Sequence, residues 1–194
     1  MVYWFLRFLS FLILKVFFRL EVKGRQNLPK KGGFILAGNH TSYMDPVVIG
    51  VASSRKLNYL AKHELFCNPF CKWLLSTICV FPIKRDAVDL SALKEAMRRV
   101  KNGRALVVFP EGSRRSDDAP REPQPGIGFL AAKLNVPVIP AFVKGTEIAL
   151  PKGTKSLRPA KISVYFGKQI LIERRLPYQD IAQQIMANIR HLAC

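Results

Sequence analysis

Short apolar runs rich in β-branched residues alternate along this chain with longer stretches whose apolar positions recur every three or four residues, and few folds accept that alternation. The short runs predict strands at 34–37, 57–61, 80–83, 105–109, 138–143 and 161–166. Between them, "DLSALKEAMRRVKNG" (89–103) sets Leu90, Leu93, Ala96, Met97 and Val100 on one face and ends on basic residues and a glycine, as a helix C-terminus does. The tail "YQDIAQQIMANIRHLA" repeats apolar residues at Ile181, Ile185, Ile189 and Leu192, a second single-faced helix. The pattern predicts an α/β domain with a central, mostly parallel or mixed sheet flanked by helices. At 194 residues, 49% of them hydrophobic and 23% charged, the chain is long enough to bury one substantial core, assigned to residues 21–194. "GSRRSDDAPREPQPG" (112–126), rich in proline, serine and charge, reads as a binding loop or lid, and 151–159 as a surface connection.

Residues 1–20, "MVYWFLRFLSFLILKVFFRL", are apolar except at Arg7, Ser10, Lys15 and Arg19. The strongly apolar side chains supply roughly −4 to −8 kcal/mol on the membrane-insertion scale, but three cations at about +2.5 to +3.5 each near a bilayer centre offset that gain. Angular position is more informative. At about 100° per residue the three cations share an arc of roughly 120°, opposite a broad face of Phe and Leu. Such a helix lies in the membrane interface with its cations at headgroup level, and does not cross. No small-residue cleavage site follows, which argues against a signal peptide. Lys23, Arg25, Lys30 and Lys31 come next, each favouring an anionic leaflet. Residues 1–20 are therefore read as an amphipathic anchor on an anionic membrane surface, at the cytoplasmic face of the inner or plasma membrane.

The charge balance agrees. Thirty-one Lys and Arg against 13 Asp and Glu give +18, which implies anionic partners: phospholipid, nucleotide, nucleic acid or an acidic protein. No helix-turn-helix, RNA-binding aromatic signature or zinc finger accompanies the charge, so nucleic acid is not expected as a partner. Cys67, Cys71, Cys79 and Cys194 match neither a zinc pattern nor a disulfide framework and read as reduced, mostly buried thiols, with no metal site expected.

"ILAGNHTSYMDP" (35–46) carries the first candidate chemistry, running from a strand into a turn that holds His40 and Asp45. In a continuous helix, residues five apart point about 140° from one another, so the two can meet only across a turn. Asp45 followed by Pro46 supplies a reason for one, because Asp favours the N-cap and Pro the first helical position. From these residues alone, a helix cap and a catalytic pair are equally good readings. Two further strand ends carry charge: Lys84 and Arg85 in "VFPIKRD", and Glu111 to Arg115 in "LVVFPEGSRR". Ligands of open α/β sheets bind where strands end. Cations there, beside a His and an Asp, suit an anionic substrate with a base next to it, and the planar fork of Arg85 or Arg114 matches phosphate oxygens.

Together "NHTSYMDP", "FPIKRD", "FPEGSRR" and "VPVIPAFVKG", in this order and at these separations, resemble the four motif blocks of the glycerolipid acyltransferases, most closely the 1-acylglycerol-3-phosphate acyltransferases. The resemblance covers roughly residues 22–170. It implies that His40 is the general base, taking the proton of a glycerol hydroxyl as that oxygen attacks an acyl thioester, with Asp45 orienting the imidazole. It further implies that Arg85, Glu111, Gly112, Ser113 and Arg114 hold the glycerol phosphate of lysophosphatidic acid, that Pro137 and Pro140 shape the site, and that no cofactor is needed beyond acyl-CoA or acyl carrier protein as donor. Three positions depart from the family: Ser113 and Arg115 stand where Thr and Ser are common, and Gln124 replaces a frequent Lys. Those departures leave the acceptor headgroup open, so a lyso-glycolipid or lyso-ornithine lipid is an alternative. More distant alternatives are a serine hydrolase using Ser113, although "EGSRR" lacks the second glycine of GxSxG, and a non-catalytic binder of anionic lipid.

Overall fold

The computed structural model describes residues 1–84, 89–112, 122–151, 153, 154 and 156–193. Seven strands form one sheet: β1 (Glu21–Lys23), β2 (Phe34–Gly38), β3 (Leu57–Lys62), β4 (Val80–Ile83), β5 (Ala105–Val108), β6 (Val138–Lys144) and β7 (Ser163–Phe166). Their order is β1-β7-β6-β2-β5-β3-β4. The ladders from β6 through β4 are parallel, β1 runs parallel to β7, and the β6–β7 pair is antiparallel. The helices are α1 (Val2–Phe17), α2 (Asp45–Ala52), α3 (Pro69–Thr77), α4 (Leu90–Lys101), α5 (Pro125–Leu134), α6 (Thr146–Ala149) and α7 (Tyr178–His191). The expected α/β architecture with a mostly parallel, mixed sheet is the one observed.

Central strands read as unbroken apolar runs because both faces are covered. In β2, Phe34 and Leu36 point into a core shared with α1 and α2, whereas Ile35 and Ala37 point into a second core built with α4, α5 and α7. All four are fully buried. Leu14 and Phe18 at the end of α1, and Leu20 beyond it, belong to the first core, so the N-terminal segment is joined to the sheet through its last turn.

Several boundaries differ from expectation, each for a local reason. The run at 161–166 gives strand only from Ser163, because Ile162 exchanges its backbone bonds with Phe18 and Glu21 outside a regular ladder. Strand β1 escapes a sequence search: three residues, two of them charged, gain strand character only by lying beside β7. Helix α5 begins inside the expected loop at 112–126, with Pro125 in its first turn where a missing N–H costs nothing. The expected burial of the cysteines is corrected. Cys67 and Cys71 are exposed and Cys79 is partly so, because α3 contributes no buried residue to either core. Cys194 lies outside the described residues.

The reading of residues 1–20 as one amphipathic anchor changes at several residues: α1 ends at Phe17, so Arg19, with φ of 47°, lies outside the helix, and Leu14, Phe18 and Leu20 belong to the core. Lys15 and Arg19 are exposed, but Arg7 turns toward the protein and donates to the carbonyls of Val51 and Ser53, while Arg25 Nε donates to that of Ala52 at 2.8 Å. The last carbonyls of a helix lack intrahelical donors and carry its negative dipole end, so α2 attracts guanidinium groups there. No helix among the described residues is long and apolar enough to cross a membrane.

A tight turn at Gly145 leads from β6 into α6. Its φ of 95° is a left-handed value, and a Cβ there would collide with the carbonyl oxygen of Lys161. Gly32 has φ of 77° but open space around it. Gly32→Ala is therefore expected to cost about 1 kcal/mol from backbone strain alone, and Gly145→Ala distinctly more, compared by denaturant unfolding of the two variants.

Candidate active site

Strands β2 and β5 are neighbours in register, Ala37 opposite Val108, so His40 and Glu111 each stand three residues past one paired position. The parallel ladder thereby delivers the first and third sequence blocks to the same sheet edge. Beyond Gly38 the chain leaves the ladder, yet Asn39 keeps its direction. Its side-chain amide donates to the Val143 carbonyl at 2.8 Å and accepts from the Val143 N–H at 2.7 Å, imitating a strand pair with β6. His40 follows from this clamp.

The turn that was required to bring His40 and Asp45 together is present. His40 Nδ1 and Asp45 Oδ2 are 2.9 Å apart, with the His40 side chain 12% exposed and that of Asp45 fully buried. The same Oδ2 accepts from the backbone N–H of Thr41 at 2.7 Å and of Ser42 at 2.8 Å. The other oxygen, Oδ1, accepts from the Thr146 hydroxyl at 2.6 Å. Asp45 is thus no ordinary helix cap: it is the first residue of α2, Met44 occupies the cap position, and the carboxylate points back into the turn. A buried charge is tolerable when donors surround it, and this one has four. Because an ionised carboxylate only accepts, Nδ1 of a neutral His40 carries the proton and Nε2 keeps a free lone pair.

Three features fix the ring and the turn. The Phe109 ring stacks on His40, centroids 4.2 Å apart and planes 19° from parallel. Ser42, fully buried, donates to the Leu150 carbonyl at 2.9 Å and accepts from the Met44 N–H. Tyr59 Oη donates to the Pro46 carbonyl at 3.0 Å, over Gly50, where a Cβ would sit 2.7 Å from that oxygen. Burial pushes the Tyr59 phenol well above its ordinary pKa, so it stays a neutral donor.

Of the expected phosphate-binding residues, Glu111 is buried and Gly112 takes φ of 69°, a value that suits glycine. Gln124 lies against it: a Cβ on Gly112 would be 3.1 Å from Gln124 Cγ. Arg85, Ser113 and Arg114 lie outside the described residues. Pro140 is within β6, opposite Ala37 and near the strand ends that carry His40, whereas Pro137 precedes β6 and accepts the Ile35 N–H at the other end of the strands, so only Pro140 stands where it can shape the site. Sequence reasoning missed Asn39, Phe109 and Thr146. The asparagine and phenylalanine lay inside quoted motifs, but nothing local marks Thr146 as a partner of a residue 101 positions away. Among the described residues, no group of three His, Cys, Asp or Glu side chains could hold a metal.

Beside the His40–Asp45 pair opens a cavity of about 750 Å³. Its walls come from α1 (Tyr3, Leu6), α2 (Val47), β3 (Leu60) and α3 (Leu74, Leu75), with His40 and Phe109 on its lining. That volume falls in the range of small-molecule sites, about 300–1,000 Å³, and its surface is mostly hydrocarbon.

The His40–Asp45 pair lies beside an apolar cavity at the strand ends of an α/β sheet. Residues 19–144 match the Acyltransferase family, and the chain belongs to that family. A 1-acyl-sn-glycerol-3-phosphate acyltransferase of Bacillus subtilis is 28% identical over 152 residues, 78% of this chain and 73% of that protein. A chloroplastic 1-acyl-sn-glycerol-3-phosphate acyltransferase of Brassica napus is 29% identical over 144 residues, 73% of this chain but only 42% of its own length. The crystal structure of the 1-acyl-sn-glycerophosphate (LPA) acyltransferase PlsC from Thermotoga maritima superposes with a TM-score of 0.77 at 25% identity, over 99% of this chain and 81% of that one. The chain is an acyltransferase.

Thr146→Val removes one donor from the buried Asp45 carboxylate at nearly constant volume. A hydrogen bond to a charged group contributes about 1.5–3 kcal/mol, so kcat for acyl transfer is expected to fall roughly 10- to 100-fold with KM little changed, and Thr146→Ser to restore it. Equal loss in both variants, read in steady-state assays, contradicts that role.

Proposed function

We propose that this chain transfers a fatty acyl group from an acyl thioester, acyl-CoA or acyl carrier protein, to the free hydroxyl of 1-acylglycerol-3-phosphate, giving phosphatidic acid. The observation that carries this reading is the His40–Asp45 pair on the wall of an apolar cavity. The similar proteins named above support the acceptor.

The steps follow from the atoms available. A glycerol hydroxyl placed at His40 Nε2 gives up its proton as its oxygen bonds to the thioester carbonyl carbon. Asp45 accepts from the Nδ1–H and stabilises the imidazolium that forms. The carbon–sulfur bond then breaks, and the imidazolium returns its proton to the leaving thiolate. No acyl-enzyme is required, so Ser113 is not a nucleophile in this scheme. The hydrocarbon-lined cavity suits the acyl chain, and Arg85 and Arg114 are proposed as the phosphate ligands, with Glu111 and Gly112 framing them. Gln124 sits against Gly112, at the position where the family resemblance implies Lys, so a lyso-glycolipid or lyso-ornithine lipid is the alternative acceptor.

The exposed apolar face of α1, Trp4, Phe5 and Phe8 among its residues, supports a location on an anionic membrane surface, which we propose to be the cytoplasmic face of the inner or plasma membrane. Deleting residues 1–20 is a poor test of this, since Leu14, Phe18 and Leu20 are core residues. Replacing Phe5 and Phe8 with Ser is the better one.

Purified protein in detergent is expected to acylate lysophosphatidic acid, and His40→Ala to lose at least about a hundredfold in rate, the low end of general base catalysis. Turnover of that variant at the level of the parent chain refutes the mechanism. A panel of lysolipid acceptors crossed with both donors, read by product mass, tests the substrate; turnover confined to a lyso-glycolipid or lyso-ornithine lipid reassigns it. Ser113→Ala is expected to retain turnover, and its complete loss favours the hydrolase.

A further inference from the structure

A second cavity, of about 320 Å³, lies on the other side of α3 from the apolar one. Lys72 and Ser76 of α3, His63 of the preceding 3-10 turn (His63–Phe66), and Arg99 of α4 supply its polar lining, and Phe66 and Phe81 much of the rest. Among the described residues, no acidic side chain lines it. Arg99 is fixed in place: Nε donates to Glu95 at 2.7 Å, Nη1 to Asn58 at 2.8 Å, and the guanidinium sits over the Phe81 ring at 4.4 Å. Lys72 has no ion pair among the described residues. Val80 contributes to both cavities, so the two adjoin across α3.

Around α3, at about 100° per residue, three sectors follow one another. Leu74 and Leu75 face the apolar cavity, Lys72 and Ser76 face the basic cleft, and Phe70 and Trp73 fill the arc between. Those two aromatic rings are 66% and 55% exposed, 6.0 Å apart, and belong to neither core. Leu65, Tyr43 and Val47 line the apolar cavity and are also exposed, so its mouth is rimmed by apolar side chains between α1 and α3. Exposed aromatics bordered by cations are the signature of a surface that meets the headgroup layer, where rings take the interface and Lys and Arg take phosphates.

We propose that α3 is a second membrane-contact element, with Phe70 and Trp73 at headgroup depth and the His63–Lys72–Arg99 cleft seating the phosphate of an anionic phospholipid. With α1 on the other wall, two interfacial helices then straddle the mouth of the acyl cavity, and substrate reaches His40 from the bilayer without crossing water. This rests on the lipid-substrate reading given above, which stands or falls by acyl transfer to lysophosphatidic acid in detergent, whereas the role of α3 is read from vesicle binding.

The chain has two tryptophans, Trp4 on α1 and Trp73 on α3, so each helix carries its own probe. Trp4→Phe protein is mixed with vesicles of phosphatidylcholine and phosphatidylglycerol brominated near the headgroup. Trp73 emission is expected to be quenched. Lys72→Gln is expected to weaken binding to these vesicles about fivefold, the contribution of one basic residue at an anionic surface, and to leave binding to pure phosphatidylcholine vesicles unchanged. Trp73 untouched by vesicles that quench Trp4 in Trp73→Phe protein overturns the role of α3 while the α1 anchor stands; if neither is quenched, both fail. Equal binding of Lys72→Gln and parent protein to the anionic vesicles overturns the phosphate cleft. A shift of Trp73 emission by free coenzyme A, lost in Lys72→Gln, assigns the cleft to the thioester donor and overturns its assignment to phospholipid.

Discussion

The site depends on a carboxylate that has been taken fully out of water. The imidazole, two turn amides and a threonine hydroxyl all donate to Asp45, which offsets the cost of burying its carboxylate. That requirement organises its surroundings. The amides of Thr41 and Ser42 must point inward, which folds the turn; the turn then places His40 beside the oxygen; and Thr146 must arrive from the far end of β6. Losing any one donor leaves a buried acceptor undersatisfied, so the pair is rigid for the same reason that it is costly.

Helix α2 links this arrangement to the N-terminal helix α1. Its first residue is Asp45, and its last carbonyls are held by Arg7 from α1 and Arg25 from the segment after β1. Negative charge at the start and positive charge at the end both favour the helix dipole. A side chain from the N-terminal helix therefore grips the same short helix that carries the buried Asp45 carboxylate. The apolar cavity lies where these elements meet α3, which explains why its walls are hydrocarbon although the chain as a whole is strongly basic.

How much of this was legible in the chain varies with the range of the signal. The β2 run at 34–37 and the α4 face at Leu93, Ala96 and Val100 were readable because strand and helix periods are local properties. The His40–Asp45 pairing was readable as a requirement for a turn, and motif order supplied its chemistry. Arg7 shows the limit. Helical angles correctly grouped it with Lys15, but on the page of the sequence a stripe of cations does not say which of them will find orphan carbonyls on another helix. Cys67 and Cys71 show another: apolar surroundings in sequence suggested burial, whereas α3 borders open cavities.

By itself the sequence determined the class of fold, strands β2 to β7 and helices α4 and α7, and the residue types able to move a proton and hold an anion, because backbone propensity and side-chain chemistry act over a few positions. Tertiary structure alone decided that Thr146 completes the Asp45 shell, that Phe109 stacks on His40, and that one wall of α3 is apolar while the other is cationic. The first two follow from strand order, which sets β6 and β5 on either side of β2. Contacts across about a hundred residues are fixed by how faces pack together, and no local pattern encodes that.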